Sequence, residues 1–406
     1  MKKYAFYIVV FFSFCCLHKV VAQTIPANDG ALQSAYPFLT ISNNNISNAE
    51  GLDSFYKKLY VLQHRHRGVV RIVHIGDSHI QADMLSGVLR NKLQQYFGNA
   101  GRGLIFPYQL ARSNAPADIF SSSSITWKYN RLAHPEIPIT NGIAGFCIKT
   151  DTAAAVAINM ALNEQGSFNR LQFFFDSSNI SPVKWSLHAN GKILPLTVND
   201  SAFSRTIRLE KSIDSFSISS SDTNNTRQFF GVSVENSNPG VIYNTIGVNG
   251  ATYAEYNNAP LFWKQIGTLD ADLYIISMGT NEGMRSVIAE DSFQMQVLLF
   301  IENLKAVSPN AAVIITTAAD SYKNGKYNVQ LDEVNCLLSQ FATQNNIPIW
   351  DLYNITGGHQ SADCWRDNKC MNKDLIHYLL NGYQIQGQLF FTALAKGYNN
   401  YIHPYK

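Results

Sequence analysis

The chain has few charged residues and no strong excess of either sign. Charged side chains make up 15% of its 406 residues, and the formal net charge is +3. Lysine and arginine form no basic cluster, so nucleic acid is not an expected partner. Internal repeats and low-complexity segments are also lacking. Hydrophobic residues make up 46% of the chain, enough for a large core in one or two domains.

Cysteine is scarce, and its spacing does not suit metal binding. The sequence has six cysteines, no Cys-x-x-Cys pair and therefore no Cys-x-x-Cys pair combined with two histidines at ligand spacing. We therefore expect no metal and no cofactor. Cys364 and Cys370 close the short loop CWRDNKC and are the pair that could form a disulfide in an exported protein. Cys147 and Cys336 are predicted to be buried free thiols.

The apolar run at the N-terminus is short for a membrane span. It covers residues 4–17, follows Lys2 and Lys3, and precedes the small residue Ala22. This pattern is typical of a secretory signal peptide, with an uncleaved anchor as the alternative. We predict that residues 1–22 are removed. The mature protein is then periplasmic or extracellular, with no stable membrane insertion.

An α/β pattern occurs in two separate parts of the chain. VVRIVHI, at 69–75, is a strand by its length and β-branched residues. A helix follows, with Leu85, Val88, Leu89, Leu93 and Phe97 at helical spacing. The glycines at 98–103 are interpreted as the break after this helix. Strands and helices alternate again from about residue 240 to a last helix near Asn381, which predicts a parallel sheet covered on both faces.

Between these two parts the composition changes. From 115 to 237, short strand-like runs alternate with turn signals such as Asn190-Gly191, and no helical period occurs. This predicts a β-sandwich, residues 115–237, inserted between residues 23–114 and 238–406 of one α/β domain. The insert is expected to be a separable unit. Its Trp127 and Trp185 could stack on sugars, but core packing is the favoured interpretation.

Four polar turns carry the side chains that ester hydrolysis requires. They are GDSH at 76–79, GVNGAT at 247–252, GTNEG at 279–283 and DLIH at 374–377. Ligands of open parallel sheets bind beyond the carboxyl ends of the strands, where these turns are expected. The reaction needs a nucleophile, a base with an orienting acid, and donors to the oxyanion. The candidates, in chain order, are Ser78, Gly250, Asn281, Asp374 and His377.

These four turns resemble the four blocks of the SGNH, or GDSL, hydrolase superfamily, in the family's order. The resemblance covers roughly residues 65–110 and 240–400. It implies a three-layer flavodoxin-like parallel sheet, the SGNH hydrolase fold, here with an inserted β-sandwich. It also implies a triad of Ser78, Asp374 and His377, and an oxyanion hole formed by Ser78, Gly250 and Asn281. An α/β-hydrolase elbow is disfavoured because Ile80 stands where Gly-x-Ser-x-Gly requires glycine.

The sequence departs from the family pattern at two positions. His79 replaces an apolar residue of the first block, and Glu282 stands where the third block usually has Asp. Other interpretations of the block residues stay open: Ser78 as a turn serine, Asn281 as a helix N-cap, and Gly250 as a position that requires positive φ. His74 is interpreted as a core histidine.

A narrower resemblance concerns the insert and the C-terminal segment. An exported SGNH domain interrupted by a β-sandwich is similar to bacterial peptidoglycan O-acetylesterases, whose insert resembles a carbohydrate-binding module. It implies a serine esterase that removes O-acetyl groups from peptidoglycan or another acetylated glycan. The alternatives are a lipase or lysophospholipase, an O-acetyltransferase, and a non-catalytic glycan-binding protein. The substrate is an acetylated carbohydrate or another ester, and the oligomeric state is not predicted.

Overall fold

The computed structural model of the chain describes residues 24–135, 140–163, 166–176, 184–196, 203–223 and 225–405. The predicted signal peptide, residues 1–22, lies outside the described residues. Within these ranges, no helix combines the length and the apolar character that crossing a membrane requires.

The helices and strands of the described residues are numbered in chain order. The helices are α1 (Gly30–Ala35), α2 (Asp53–Arg65), α3 (Ser78–Gln81), α4 (Met84–Phe97), α5 (Tyr253–Asn257), α6 (Pro260–Ile266), α7 (Thr280–Gly283), α8 (Glu290–Val307), α9 (Val329–Gln344), α10 (Leu352–Ile355), α11 (Ser361–Asp367) and α12 (Leu380–Ile402). Short 3-10 helices lie at Ile41–Asn43, Ala49–Leu52, Gly267–Leu269 and His403–Tyr405.

The strands are β1 (Ile46–Ser47), β2 (Val69–Gly76), β3 (Asn99–Ile105), β4 (Ile119–Ser122), β5 (Lys128–Arg131), β6 (Phe146–Thr150), β7 (Val156–Leu162), β8 (Phe168–Phe174), β9 (Trp185–Ala189), β10 (Lys192–Leu196), β11 (Ser204–Ile213), β12 (Ser215–Ser220), β13 (Arg227–Phe229), β14 (Val232–Glu235), β15 (Gly240–Gly247), β16 (Leu273–Ser277), β17 (Ala312–Thr316), β18 (Tyr322–Lys323), β19 (Lys326–Tyr327) and β20 (Ile349–Trp350). The last helix and the strand before the first polar turn thus lie where the sequence predicts them.

One sheet organises the α/β domain. In the described residues it has ten strands in the order β1-β20-β17-β16-β2-β15-β3-β14-β8-β11. The strands from β20 to β3 pair in parallel. The edge strand β1 and the strands β14, β8 and β11 pair antiparallel. The predicted α/β fold with a parallel sheet is confirmed, although the sheet is mixed at both edges.

Apolar clusters cover both faces of this sheet. Successive side chains of a strand point to opposite faces, so Ile72 and Val73 of β2 belong to different clusters. Helices α2, α4 and α12 cover the face of Ile72, and α6, α8 and α9 cover the other. One face of α12 packs against the sheet and is buried: Ile385, Leu389, Ala393 and Leu394. The result is the predicted arrangement of three layers.

Strand β3 is where the sequence interpretation is wrong. Its glycines were interpreted as the break after α4, but Asn99–Ile105 forms a buried strand inside the main sheet. Gly101 and Gly103 have φ of 137° and 83°. A Cβ at Gly101 would lie 2.5 Å from the Cα of Glu235 on β14. The glycines therefore let neighbouring strands approach where a side chain would not fit.

The inserted segment is all β in the described residues, as predicted. It forms a five-stranded antiparallel sheet, β10-β9-β12-β7-β4, and a three-stranded one, β13-β6-β5. Its strands β8, β11 and β14 also extend the main sheet through the pairing of β14 with β3, which the sequence did not predict. Trp127 and Trp185 are buried, in agreement with core packing. The domain limits at residues 115 and 237 stay predictions.

The described cysteines are all free thiols. Cys364 and Cys370, the pair considered for a disulfide, are not bridged. Cys147 is buried as predicted, but the prediction for Cys336 is wrong because this residue is exposed on α9.

Candidate active site

The turn that carries Ser78 connects the central strand β2 to helix α3. Asp77 is the N-cap of α3, and its Oδ1 accepts the backbone N–H of His79 at 2.9 Å. Burial raises the pKa of Asp77 to about 6, against the lowering effect of this hydrogen bond. Asp77 thus bonds the local backbone. Ser78 is half-buried at the first position of α3, so its hydroxyl lies at the carboxyl end of the sheet.

The fourth polar turn brings its acid and base to this serine. His377 Nε2 lies 2.9 Å from Ser78 Oγ, and His377 Nδ1 lies 2.8 Å from Asp374 Oδ2. Leu375 adopts a left-handed conformation with φ of 53°, which folds the turn back on itself. Asp374 Oδ1 accepts the N–H groups of Ile376 and His377, both at 3.0 Å. The turn itself therefore fixes the orientation of the carboxylate.

The charge state of Asp374 suits an orienting acid. Partial burial raises its pKa, but the hydrogen bonds from the His377 ring and from two backbone N–H groups outweigh this effect and hold the pKa below its usual range. An ionised Asp374 accepts the Nδ1–H of the imidazole, which leaves Nε2 free to accept the Ser78 proton. Both distances lie within hydrogen-bond reach for a nucleophile and its base.

The second and third polar turns meet beside Ser78. Gly250 follows β15 and has φ of 83°, so the positive-φ interpretation holds for this residue. Asn281 is the second residue of α7, whose N-cap is Gly279, so Asn281 is not a helix cap. The Asn281 Nδ2 group donates one hydrogen bond to the carbonyl of Ala251 at 2.9 Å. A side-chain amide has two N–H donors, and one remains available.

Two backbone donors of the predicted oxyanion hole are also available. Among the described residues, no acceptor is hydrogen-bonded to the backbone N–H of Ser78 or of Gly250. Unpaired N–H groups beside a nucleophile are what stabilisation of a tetrahedral oxyanion needs. The sequence-predicted residues Ser78, Gly250, Asn281, Asp374 and His377 therefore lie on neighbouring loops at one edge of the sheet.

Glu282, the departure in the third block, connects two of these loops. Its Oε1 accepts the backbone N–H of Tyr253 at 2.9 Å, at the start of α5. The side chain is 4% exposed, and burial raises its pKa to about 7 although the hydrogen bond from Tyr253 lowers it. Glu282 thus holds the turn of Asn281 against the segment that follows Gly250.

Sequence reasoning missed two residues around the site. Gln81 is buried, and its Oε1 accepts the N–H of Asn249 at 2.8 Å. Its Nε2 donates to Ser113 Oγ at 2.7 Å and to the carbonyl of Asn114 at 3.0 Å. His134, from the inserted segment, lies against Gly250, since a Cβ on this glycine would be 3.2 Å from the imidazole. A polar side chain three residues after the nucleophile was the one sequence signal for Gln81; none pointed to His134.

His74 takes no part in this constellation. Its Nδ1 lies 2.8 Å from the hydroxyl of Tyr243, and its Nε2 lies 2.7 Å from Ser277 Oγ. Burial lowers its pKa to about 3, so it is a neutral, hydrogen-bonded core histidine, as interpreted from the sequence. In the part of the chain that the structure describes, no three His, Cys, Asp or Glu side chains come together in a way that could hold a metal ion.

Comparison with protein families gives one match for this chain. The model of the GDSL-like lipase/acylhydrolase family matches residues 214–385, somewhat less than half of the chain. This range contains Gly250, Asn281, Asp374 and His377, whereas Ser78 lies outside it. No curated protein sequence matches the chain.

Solved structures are similar to the chain to very different extents. A peptidoglycan O-acetylesterase superposes with a TM-score of 0.74 and 21% identity, over 86% of this chain and 96% of its own. A lipase/acylhydrolase from Enterococcus faecalis gives a TM-score of 0.32 and 17% identity, over 39% of this chain and 77% of its own. An acetylxylan esterase from Geobacillus stearothermophilus gives 0.29 and 15%, over 40% and 73%. With its four blocks in order on an α/β fold, the chain is similar to the GDSL-like lipase/acylhydrolase (SGNH) family, whose model matches residues 214–385.

Proposed function

We propose that this protein is an exported serine esterase that removes O-acetyl groups from a glycan, with peptidoglycan as the first candidate. The observation that carries the proposal is the continuous chain of hydrogen bonds from Ser78 Oγ through the two nitrogens of His377 to Asp374. An inert glycan-binding protein has no need of this arrangement. The family supplies the reaction class, the hydrolysis of an ester.

Acylation begins when Ser78 Oγ attacks the acetyl carbonyl carbon and passes its proton to His377 Nε2. The carbonyl oxygen becomes an oxyanion and accepts hydrogen bonds from the backbone N–H of Ser78, the backbone N–H of Gly250 and the second amide N–H of Asn281. The intermediate then collapses, the bond to the sugar oxygen breaks, and His377 returns the proton to this oxygen. The products are the free glycan hydroxyl and acetyl-Ser78.

Deacylation follows the same route with water as the nucleophile. His377 takes a proton from water, the hydroxide oxygen attacks the acetyl-Ser78 carbonyl, and the same donors stabilise the second oxyanion. Collapse releases acetate and restores the Ser78 hydroxyl with the proton from His377. A glycan hydroxyl that took the place of water would instead accept the acetyl group, which is the transferase alternative.

Two features support a glycan as the acetyl carrier. The five-stranded sheet of the insert has a groove of about 860 Å³ with the exposed side chains of Phe120 and Ile193. Hydroxyl and amide groups share this groove: Ser121, Ser122, Asn159, Asn190, Ser215 and Ser217. Aromatic and polar groups together suit the apolar faces and hydroxyls of sugars. In addition, a peptidoglycan O-acetylesterase of known structure shares the fold over 86% of the chain.

Export is the part of the proposal that depends on the sequence alone. Lys2 and Lys3, the apolar run and Ala22 favour removal of residues 1–22 and delivery to the periplasm or the cell exterior. An exported enzyme would meet acetylated cell-surface glycans there.

The test is a substrate panel on residues 23–406 and on the Ser78→Ala variant. We expect hydrolysis of p-nitrophenyl acetate, slower turnover of longer acyl esters, and release of acetate from O-acetylated peptidoglycan or acetylated xylan. Ser78→Ala should remain folded and lose activity, and Ser34→Ala, at an exposed serine of α1, is the control. A preference for long acyl chains would favour the lipase alternative, and glycan binding without acetate release would favour the non-catalytic one.

A further inference from the structure

His79 is a half-buried polar group that the proposed reaction does not use. Its ring lies against the ring of His377, with a centroid distance of 5.3 Å and an interplanar angle of 29°. On its other side, the hydroxyl of Tyr383 on α12 lies 3.0 Å from His79 Nδ1. The Tyr378 ring is 6.2 Å away. His79 thus fills the space between the proposed base and the last helix.

The surroundings keep the His79 ring neutral. Burial lowers its pKa to about 3, the charge of His377 acts in the same direction, and Asp374 offsets part of the effect. The titratable side chains facing it from the packed elements are His377, Asp374, Asp77, Tyr378 and Tyr383. Burial raises the pKa of Tyr383 well above its usual range, so its hydroxyl keeps its proton and can donate it to His79 Nδ1.

The proposed base, His377, needs a neighbour that restricts its rotation, and the His79 ring is placed to do this. The His377 side chain is 38% exposed on a turn outside any helix, so its own element holds it loosely. A flat aromatic neighbour restricts its rotation and leaves both nitrogens aligned with their partners. When His377 takes the Ser78 proton, it becomes a cation stacked on a neutral aromatic ring, which is a favourable arrangement.

We propose that His79, held by Tyr383, is a positioning residue for His377: it keeps the imidazole aligned with Ser78 and Asp374 and favours the imidazolium formed during acyl transfer. The inference rests on the proposed esterase activity and goes beyond it, because it assigns a role to the residue that replaces an apolar one in the first block.

Comparing His79→Leu with His79→Phe separates the effect of a flat aromatic ring from the effect of side-chain volume. His79→Leu should lower kcat on p-nitrophenyl acetate about tenfold, the size of a partly buried cation–π contact expressed as a rate, with little change in KM. The acid limb of its kcat/KM profile should move to lower pH, because the cationic base loses a favourable neighbour. His79→Phe keeps a flat ring and should restore most of the rate. His64→Leu is the control, because His64 lies in the last turn of α2, before the start of β2, whereas Ser78 follows the end of β2.

A merely structural role would lower the melting temperature and leave the acid limb in place, and this result would overturn the proposal. Equal losses in His79→Phe and His79→Leu would do the same. If His79→Leu does not fold, Tyr383→Phe takes its place, with Tyr398→Phe on the same helix as the control. It should give a smaller loss and a shift in the same direction, and no change would overturn the inference.

A substrate-free measurement distinguishes this inference from the proposed function. The His377 Nδ1–H that is hydrogen-bonded to Asp374 should give a downfield proton NMR signal in the wild type, and His79→Leu should broaden or abolish it. An unchanged signal in His79→Leu would overturn the positioning role. A wild type that shows the signal but hydrolyses no acetyl ester would refute the proposed function alone.

Discussion

Replacing Glu282 by glutamine should change how the stability of the protein depends on pH. Glu282 is buried, its Oε1 accepts the N–H of Tyr253, and its Oε2 has no hydrogen-bond partner among the described residues. Desolvation is the main cause that raises its pKa from 4.5 to about 7, and the negative charges of Asp77 and Glu255 add to it. The folded state therefore prefers the protonated carboxyl.

The sign and size follow from this preference. A carboxyl whose pKa is raised on folding contributes its full stability below the unfolded pKa of 4.5 and loses it as the pH rises through about 7. At 1.36 kcal/mol per unit, the loss amounts to about 3 kcal/mol between pH 4 and pH 8.5. Glu282→Gln keeps an acceptor for the Tyr253 N–H and carries no charge, so this loss should be absent from the variant.

The assay is denaturant unfolding of the wild type and of Glu282→Gln at pH 4 and pH 8.5. The free energy of unfolding of the variant relative to the wild type should rise by about 3 kcal/mol over this interval. Glu302→Gln, at an exposed position of α8, is the control for the substitution itself. A difference between variant and wild type that stays constant with pH would refute the reasoning, as would a wild type that gains stability over the variant at pH 8.5.

Four other expectations follow. Asn281→Ala should lower kcat about 10²- to 10³-fold with little change in KM, because the donor acts mainly in the transition state; an unchanged kcat in steady-state assays would remove it from the oxyanion hole. Asp374→Asn should lower kcat about 10⁴-fold without loss of folding, checked by kinetics and circular dichroism. Activity should survive EDTA, and a loss that zinc restores would indicate another mechanism. Deletion of residues 115–237 should abolish turnover of even a small acetyl ester, measured on the soluble fraction of the truncated protein.

The sequence predicts the elements that carry strong local patterns. Strand β2 is a run of β-branched residues, and α4 places Leu85, Leu89 and Leu93 one turn apart, so periodicity alone identifies them. Strand β3 has no such pattern, since its glycines resemble a turn. The glycines of β3 allow β14 and β15 to approach closely, and these strands lie more than a hundred positions away in the sequence.

The candidate site likewise has residues that the sequence predicts and surroundings that it does not. The residues of its hydrogen-bonded triad, Ser78, Asp374 and His377, lie in short motifs with fixed spacing, and the structure brings them within hydrogen-bond distance. The surroundings could not be predicted, because they depend on contacts between distant segments. Gln81 bonds a loop 168 positions away, and the partner of His79 lies 304 positions away.

The same long-range contacts decide how the inserted segment relates to the site. Arg102 of β3 bonds Asp83, the N-cap residue of α4, and also Asp118 of the insert. Gln81 connects the turn before Gly250 to the chain just ahead of the insert. Strand β14 covers the edge of β3. Removing the insert would leave Arg102 without one carboxylate and expose the hydrogen-bonding edge of a buried strand, both of which are costly. We therefore expect the β domain and the site to fold as one unit, and the insert not to behave as the separable module that its sequence alone suggests.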